Sequence, residues 1–336
     1  MIKNETKIDI VYLWVDGNDP FWRQKRQFSL QQLSHGHIDD LAPYSNVEGR
    51  FRDNDELRYS LRALEYFFPE HGHVYIITDS QVPVWLQTSE QVTIIDHLDL
   101  IPKNQLPTFD SGNIESYIHR IPGLSERYFY FNDDVFFGSP VNVHDWFWDG
   151  GIYVAWSDEP PVSDEPMRPD ATSLENACRL SNEWFMSDRR ITQTETSLRP
   201  AVLAPYEHTF RTFAHSPRPM LKSLLFELER VAPELFGRVR STVFRVWNKP
   251  TIVSDFVMRW ALASGQAKLR EHSHLYISTG AGGHQDQLDL LYSMFGKIEF
   301  FCINDTTDDA GFDDPRFEDV RSTLALMLPV ASSFEK

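Results

Sequence analysis

The run Ile8-Asp-Ile-Val-Tyr-Leu-Trp-Val15 is almost wholly apolar and stops at Asp16-Gly17-Asn18-Asp19-Pro20, where every residue favours a turn. A run this short, rich in β-branched and aromatic residues and closed by turn formers, is a strand leading into a loop. The next elements set the fold class. Leu57, Leu61, Leu64 and Phe68 recur at helical spacing, so the segment from Asn54 to Phe68 reads as a helix with one buried face. Asp53 or Asn54 stands where an N-cap is needed, Glu56 falls in the first turn, and Pro69 ends the helix. Two strands come after it, at Val74–Thr78 and Val92–Ile95, with a turn or short helix at Pro83–Leu86 between them. Strand, helix, strand, strand at this density predicts an α/β sheet.

The rest of the chain continues the pattern. Gly112–Ile121 reads as a short helix, and Tyr128–Phe131 as a strand that ends in Asn132-Asp133-Asp134. Carboxylates just past a strand's carboxyl end lie where open α/β sheets bind ligands. Ser157–Pro169, rich in Pro, Asp and Glu, reads as a surface loop. Met220–Val231 and Ser254–Ser264 read as helices, and Lys297–Ile303 as a late strand ending in Asn304-Asp305. An acidic tail runs to Asp319, and beyond it a short amphipathic helix reaches about Leu328. The expected organisation is one α/β domain over 1–336, with a helical insert or lid at about 160–270.

Charge and cysteine content exclude several functions. The net charge of −17 argues against a nucleic-acid binder, which needs a basic face, and against attraction to an anionic bilayer. Cys178 and Cys302 are too few for a disulfide framework and lack zinc-site spacing, so a reducing compartment is expected. No apolar run approaches the roughly 18 residues of a membrane span, and Met1–Lys7 lacks the features of a signal peptide. These features predict a cytoplasmic protein.

Several clusters carry chemical potential. In Arg50-Phe-Arg-Asp-Asn-Asp-Glu-Leu-Arg-Tyr-Ser-Leu-Arg62, Arg58 and Arg62 share a helix face and can pair with Asp55. The segment is either a solvated helix start or an anion site at a helix amino terminus. Asp133 and Asp134 point to opposite sides if the chain stays extended, so one can hold a divalent cation while the other acts as a base. An acidic turn is the rival reading, as it is for Asn304-Asp305. His215-Ser-Pro217, with Arg211, Arg218 and Lys222, is a small cationic group in an acidic chain. Phe244-Arg245 and Trp14 taken alone are more simply a surface arginine with a packed stem and a core residue.

The stretches Ile8–Pro20 and Arg50–Arg62 resemble the Stealth family, which includes bacterial capsular polysaccharide phosphotransferases and the catalytic subunit of the animal lysosomal-enzyme N-acetylglucosamine-1-phosphotransferase. The resemblance continues through Val74–Leu86, Leu106–Leu124 and Tyr130–Gly138, more loosely through His215–Pro217 and Phe244–Arg245 to about Gly265, and ends at Cys302-Ile-Asn-Asp305. It implies a Rossmann-like, glycosyltransferase-A-like nucleotide-sugar-binding sheet. It also implies transfer of a hexose- or N-acetylhexosamine-1-phosphate from a UDP-sugar to a saccharide or glycolipid hydroxyl, with release of UMP, in capsule or exopolysaccharide synthesis. Under the resemblance Asp134, His215 and Arg245 are catalytic. Trp14, Asp16, Gly17, Arg52, Asp53, Asp55, Glu56, Arg58, Arg218 and Lys222 are donor-site residues. Asp133, Asp134, Asn304 and Asp305 would hold Mg²⁺ or Mn²⁺. Such a protein would act in the cytoplasm, with peripheral attachment to a membrane assembly left open, and Asp255 has no assigned role. The alternatives are a metal-dependent glycosyltransferase that releases UDP and a non-catalytic glycan- or nucleotide-binding homologue.

Overall fold

The computed structural model describes residues 7–33, 39–187, 209–311 and 313–336. The Met1–Lys7 reading therefore falls almost entirely outside the described residues, as does 188–208 of the anticipated insert. The opening run forms β1 (Asp9–Leu13). It leads into α1 (Pro20–Gln31), whose start is capped by the Asp19 carboxylate accepting from the N–H groups of Phe21 and Trp22. The periodic segment is α2 (Glu56–Phe67), followed by β2 (Val74–Thr78), β3 (Val92–Asp96), α3 (Ser111–Glu115), β4 (Arg127–Asn132) and β5 (Val135–Phe137). Then come β6 (Phe147–Trp148), β7 (Gly151–Val154), α4 (Ser173–Ser187) and β8 (Arg218–Leu221).

The main sheet has the order β3-β2-β1-β4-β8. Its first four strands are parallel, and β8 pairs antiparallel with β4. The expected α/β, Rossmann-like sheet is thus present. Parallel strands are covered on both faces, so they read as continuous apolar runs. Accordingly Ile10, Val11 and Tyr12 are fully buried. The chain steps outward from β1 to β2 and β3, then returns to the other side of β1 with β4, so the order reverses between β1 and β4. Ligands of open α/β sheets bind at such a reversal, outside the strands' carboxyl ends. Leu13 is in register with Asn132, which puts the Asp16-Gly17 turn and Asn132-Asp133-Asp134 at that one place.

Asp133 and Asp134 form the turn by which the chain leaves the main sheet. It enters a second sheet of order β10-β11-β5, where β10 is His274–Ser278 and β11 is Phe300–Asn304. Since β5 pairs antiparallel with β11, Ile303 is carried alongside Asp134, where its N–H donates to the Asp134 carbonyl at 3.0 Å, and Asn304 follows beside this turn. Helix α2 buries Leu57, Leu61 and Leu64 completely, worth about 1.5–3 kcal/mol each. Its Ser60 hydroxyl donates to Val135 O at 2.6 Å and lies 2.9 Å from the Tyr12 hydroxyl, which ties the helix to both sheets.

Local departures from the sequence reading have identifiable causes. Helix α2 is entered through Asp55 in the left-handed region (φ 68°), and neither Asp53 nor Asn54 caps it. The Asn54 N–H and side-chain amide donate instead to Glu56, at 2.6 and 2.9 Å. Residues 218–221 are strand because the free edge of β4 takes a partner there, and an edge strand tolerates Pro219. The helix expected over Met220–Val231 therefore starts only at Lys222, as α5 (Lys222–Val231), followed by α6 (Pro233–Arg240). The helix expected from Ser254 begins as a π turn, Ile252–Phe256, and continues as α7 (Val257–Ala263). The expected Gly112–Ile121 helix breaks after α3 and resumes as one 3₁₀ turn, Ile118–Arg120.

Candidate functional site

A cleft of about 660 Å³ opens at the β1/β4 reversal, within the range that holds a drug-sized ligand. Its lining includes the acids Glu56, Asp133, Asp134 and Asp305, the cations Arg50, Arg52 and Arg245, and also Trp14, His215 and Asn304. Opposite charges therefore share one cavity.

The floor is a hydrogen-bond chain that starts in β4. The Tyr130 hydroxyl faces the Asn132 side-chain oxygen at 2.8 Å and buried Glu115 at 3.0 Å. Burial pushes the Tyr130 phenol well above its ordinary value, so it stays a neutral donor. With its oxygen held by Tyr130, the Asn132 amide turns its nitrogen toward His215 Nε2 at 3.0 Å. The same Nε2 lies 3.5 Å from Asp134 Oδ1, an atom that is buried without a hydrogen-bond partner among the described residues. Asp134 Oδ2 accepts from the buried Cys302 thiol at 3.4 Å.

On another part of the wall, fully buried Asp110 holds Lys249 Nζ at 2.6 Å and accepts from Thr242 Oγ1 at 2.7 Å. Burial would raise the Asp110 pKa, but Lys249 and Arg245 outweigh it and hold the group below the ordinary carboxylate range. Arg245 Nε lies 3.9 Å from Asp110, and its Nη2 donates to Ser111 Oγ at 2.9 Å, which leaves the guanidinium facing the cleft. Burial, and after it the Arg245 charge, pushes the Arg50 pKa down. Two guanidiniums repelling each other in one cleft make an anion-binding wall.

The carboxylates on the other side are crowded. Burial and neighbouring acids raise Asp53 to about 7 and Glu56 to about 8. Asp133 is pushed well up by burial and then by Asp134, Glu56 and Asp53. Hard oxygen donors that must otherwise hold protons fit a divalent cation such as Mg²⁺ or Mn²⁺. The same crowding makes stability depend on pH. Unfolded carboxyls release their protons above about pH 4, whereas folded Asp53 and Glu56 keep theirs to about 7 and 8, so metal-free stability falls as pH rises through that window. Thermal melts should show the metal-free Tm dropping between roughly pH 5.5 and 8.5. Millimolar Mg²⁺ or Mn²⁺ should raise it by about 5 °C at the upper pH and hardly at the lower one. An equal rise at both would contradict this reading of the acid cluster.

Several expected site residues are engaged elsewhere. Arg58 and Arg62 do share a face, but it packs on the chain's end: Arg58 Nε lies 2.5 Å and Arg62 Nε 2.7 Å from Glu335. Burial opposes ionisation of Glu335, yet the two arginines and the Ser332 N–H hold it at about 2. Neither arginine pairs with Asp55 as expected. Lys222 lies beside the amino end of β4, donating to Leu124 O at 3.1 Å, so antiparallel pairing puts it at the wrong end of the sheet. Arg218 sits opposite Tyr130 in β8, buried beneath the floor. Arg211 is turned to Ser157 O at 2.9 Å. Asp305 was expected to share a cation with Asp133 and Asp134. It is instead paired with Arg52 and accepts from Thr307 N–H at 2.9 Å and Thr307 Oγ1 at 2.7 Å. Arg52 donates further to Ala310 O at 2.9 Å, so this pair clamps the 305–310 loop.

Asp16 and Gly17 serve the scaffold. The Asp16 main chain exchanges bonds with the Gln81 side chain at 3.0 and 2.9 Å, and a side chain on Gly17 would put its Cβ 2.1 Å from Phe51 O. Asp55 N–H donates to Asp53 at 3.1 Å. Sequence reasoning did not single out Arg50, Asp110, Asn132, Tyr130 or Lys249 individually. Only Asn132 had a usable signal, its place immediately after a strand.

Strand order and site together define an α/β protein with a mixed-charge cleft at the carboxyl ends of β1 and β4. Residues 6–34 match the family model for Stealth protein CR1, conserved region 1, and residues 50–154 that for Stealth protein CR2, conserved region 2. The chain thus carries the first two conserved regions of the Stealth family. It is 33% identical over 333 residues to a Mycobacterium tuberculosis protein named exopolysaccharide phosphotransferase CpsY, covering 98% of this chain and 58% of that one. A Neisseria meningitidis protein named capsular polysaccharide phosphotransferase LcbA is 40% identical over 185 residues, covering 53% of this chain and 49% of that one. The chain thus spans about half the length of these curated relatives. Among solved structures, the galactosyltransferase LgtC in complex with donor and acceptor sugar analogs matches at 9% identity and a TM-score of 0.43, covering 97% of this chain and 98% of that one.

Proposed function

We propose that the chain transfers a sugar-1-phosphate from a UDP-sugar to a saccharide or glycolipid hydroxyl, forming a phosphodiester and releasing UMP, in capsule or exopolysaccharide assembly. The observation that carries this reading is His215 Nε2, 3.0 Å from Asn132 and 3.5 Å from Asp134, in the cleft that also presents Arg245. Phosphoryl transfer gains mainly from positioning and from neutralising charge on nonbridging oxygens.

The Asn132 amide, donating to it, marks His215 Nε2 as the unprotonated ring nitrogen; when the acceptor hydroxyl takes the place of that amide, Nε2 accepts the hydroxyl's proton as its oxygen attacks phosphorus. The bond from that phosphorus to the UMP oxygen breaks. Once protonated, Nε2–H turns to Asp134 Oδ1, whose charge stabilises the imidazolium. Arg245, fixed by Asp110 and Ser111, meets the nonbridging oxygens, and Arg50 adds charge to the same wall. Asp133 and Asp134, the adjacent acids of the turn after β4, would hold the divalent cation, which when bound neutralises diphosphate charge. Asn304 is the remaining polar group beside them, whereas Asp305 is committed to Arg52.

Among the described residues no helix is long and apolar enough to cross a membrane. The reading places the chain at the cytoplasmic side, with or without a peripheral hold on the membrane. The test is incubation of the purified chain with UDP-hexoses or UDP-N-acetylhexosamines, Mg²⁺ and acceptor saccharide, with the nucleotide product identified. UMP is expected. UDP would mean ordinary glycosyl transfer, and thermal stabilisation by the donor without either product would mean a binding module.

A further inference from the structure

The cleft floor itself holds a different kind of ligand set. Asp134, His215 and Cys302 each offer a ligand atom within 4.8 Å of the other two. Two of the separations are known closely: His215 Nε2 to Asp134 Oδ1 is 3.5 Å, and Cys302 Sγ to Asp134 Oδ2 is 3.4 Å. Zinc bound at about 2.0 Å to nitrogen or oxygen and about 2.3 Å to sulfur sets ligand atoms roughly 3.3–3.6 Å apart at tetrahedral angles. The nitrogen and the sulfur each stand at such a distance from the Asp134 carboxylate, on different oxygens of it, and one ligand atom of that carboxylate lies within 4.8 Å of both. The three groups come from different elements: the turn after β4, the segment before β8, and β11. All three are held by the strands around them.

We propose that Asp134, His215 and Cys302 form a binding site for Zn²⁺ or a similar thiophilic divalent cation, with the fourth position open to the cleft. Softness separates this site from the acid cluster: a thiol with an imidazole selects zinc, whereas magnesium takes carboxylate and water oxygens. Charge also favours it. On binding, the Cys302 S–H bond is replaced by S–Zn and the proton leaves to solvent. A 2+ ion, one thiolate, one carboxylate and a neutral imidazole then sum to zero in a place where unpaired charge is costly. The existing thiol-to-carboxylate hydrogen bond already aims the sulfur at Asp134. One consequence rests on the proposed function: zinc would occupy the Nε2 lone pair and Asp134, removing the base, so Zn²⁺ would inhibit where Mg²⁺ supports.

Cobalt(II) titration of the whole chain, under a reductant that does not bind metal, tests the site without any assay of turnover. A one-to-one complex is expected, with thiolate-to-metal absorption and the intense visible bands of tetrahedral cobalt. Zn²⁺ should displace it and excess Mg²⁺ should not. Cys302→Ser should lose the thiolate band and weaken Zn²⁺ binding by more than the roughly 10–100-fold that even an outer-shell partner contributes. Cys178→Ser should leave both intact. His215→Gln, at a side chain open to the cleft, should weaken the complex and alter the visible bands, so the test survives if Cys302→Ser does not fold. A wild-type complex without a thiolate band, or a band that persists in Cys302→Ser, overturns the site. If zinc binds as expected and no UMP forms from any donor, the site stands and the phosphotransferase reading fails. If zinc binds and UMP formation continues undiminished, the inhibitory consequence is wrong.

Discussion

Asp134→Asn should lower UMP formation by about 10³-fold or more while leaving the melting temperature within a few degrees. A loss of that size is about 4 kcal/mol of transition-state stabilisation. The substitution keeps the side chain's shape, and the main-chain bond from Ile303 N–H to the Asp134 carbonyl is untouched, so folding has little reason to change. The charge 3.5 Å from His215 Nε2 is lost. An imidazolium forming beside a neutral amide has no counter-ion, and an amide nitrogen at the Oδ1 position would present a donor to it. The turnover number should fall by far more than donor affinity, which changes only through Asp134's share in holding the cation, because the interaction with His215 matters once the proton has moved. A variant that retains more than a tenth of wild-type turnover would remove Asp134 from the reaction. His215→Ala belongs to the same unit, so the two losses should not add.

The parts of this site that could be read from sequence were those with local causes. The strand at residues 9–13, the helix over 56–67 and the strand at 74–78 each arise from a nearby apolar period and a nearby breaker. Once these are arranged as a parallel sheet, the place of Asn132-Asp133-Asp134 is set by the reversal of strand order. Long-range partners had no such signal. Arg52 and Arg58 announce that they will pair, but Asp305 and Glu335 lie 253 and 277 residues away in sequence. Lys222 looks like a phosphate ligand until antiparallel pairing with β4 places it at the opposite strand end. Lys249 gives no sign of being buried, because only the fold supplies Asp110 to offset its desolvation. His215 and Arg245 entered through the family resemblance and stand in the cleft, whereas Arg50, the first residue of the Arg50–Arg62 stretch, stands there without having been singled out.

Asp255→Ala should cost about 3–5 kcal/mol of stability and lower the melting temperature by something on the order of 10 °C. Asp255 lies in the π turn before α7, outside the cleft lining, and its partners are internal. Arg259 Nε donates to it at 2.9 Å, Arg259 Nη2 lies 2.8 Å away, and Ser181 Oγ donates at 2.5 Å. Arg259 is itself fully buried, near the rings of Trp156 and Phe213 at 5.7 and 5.2 Å from their centroids. Removing the carboxylate takes from that guanidinium its Asp255 partner, and breaking a buried ion pair by deleting one member is among the most damaging local changes. Because total stability is typically about 5–15 kcal/mol, the loss is a large share of it. Arg259 also donates to the carbonyls of Thr209 and Arg211, at 2.8 and 2.5 Å, and so holds the strip of chain that leads into His215. Turnover at temperatures where Asp255→Ala remains folded should therefore fall as well, through displacement of the base. The double substitution Asp255→Leu with Arg259→Met separates these effects. Replacing both charges with apolar groups should recover much of the stability, while the strip before His215, having lost the guanidinium, should stay loose and turnover low. A melting temperature within 2 °C of wild type for Asp255→Ala, read by calorimetry, would show that the pair does not anchor this part of the fold.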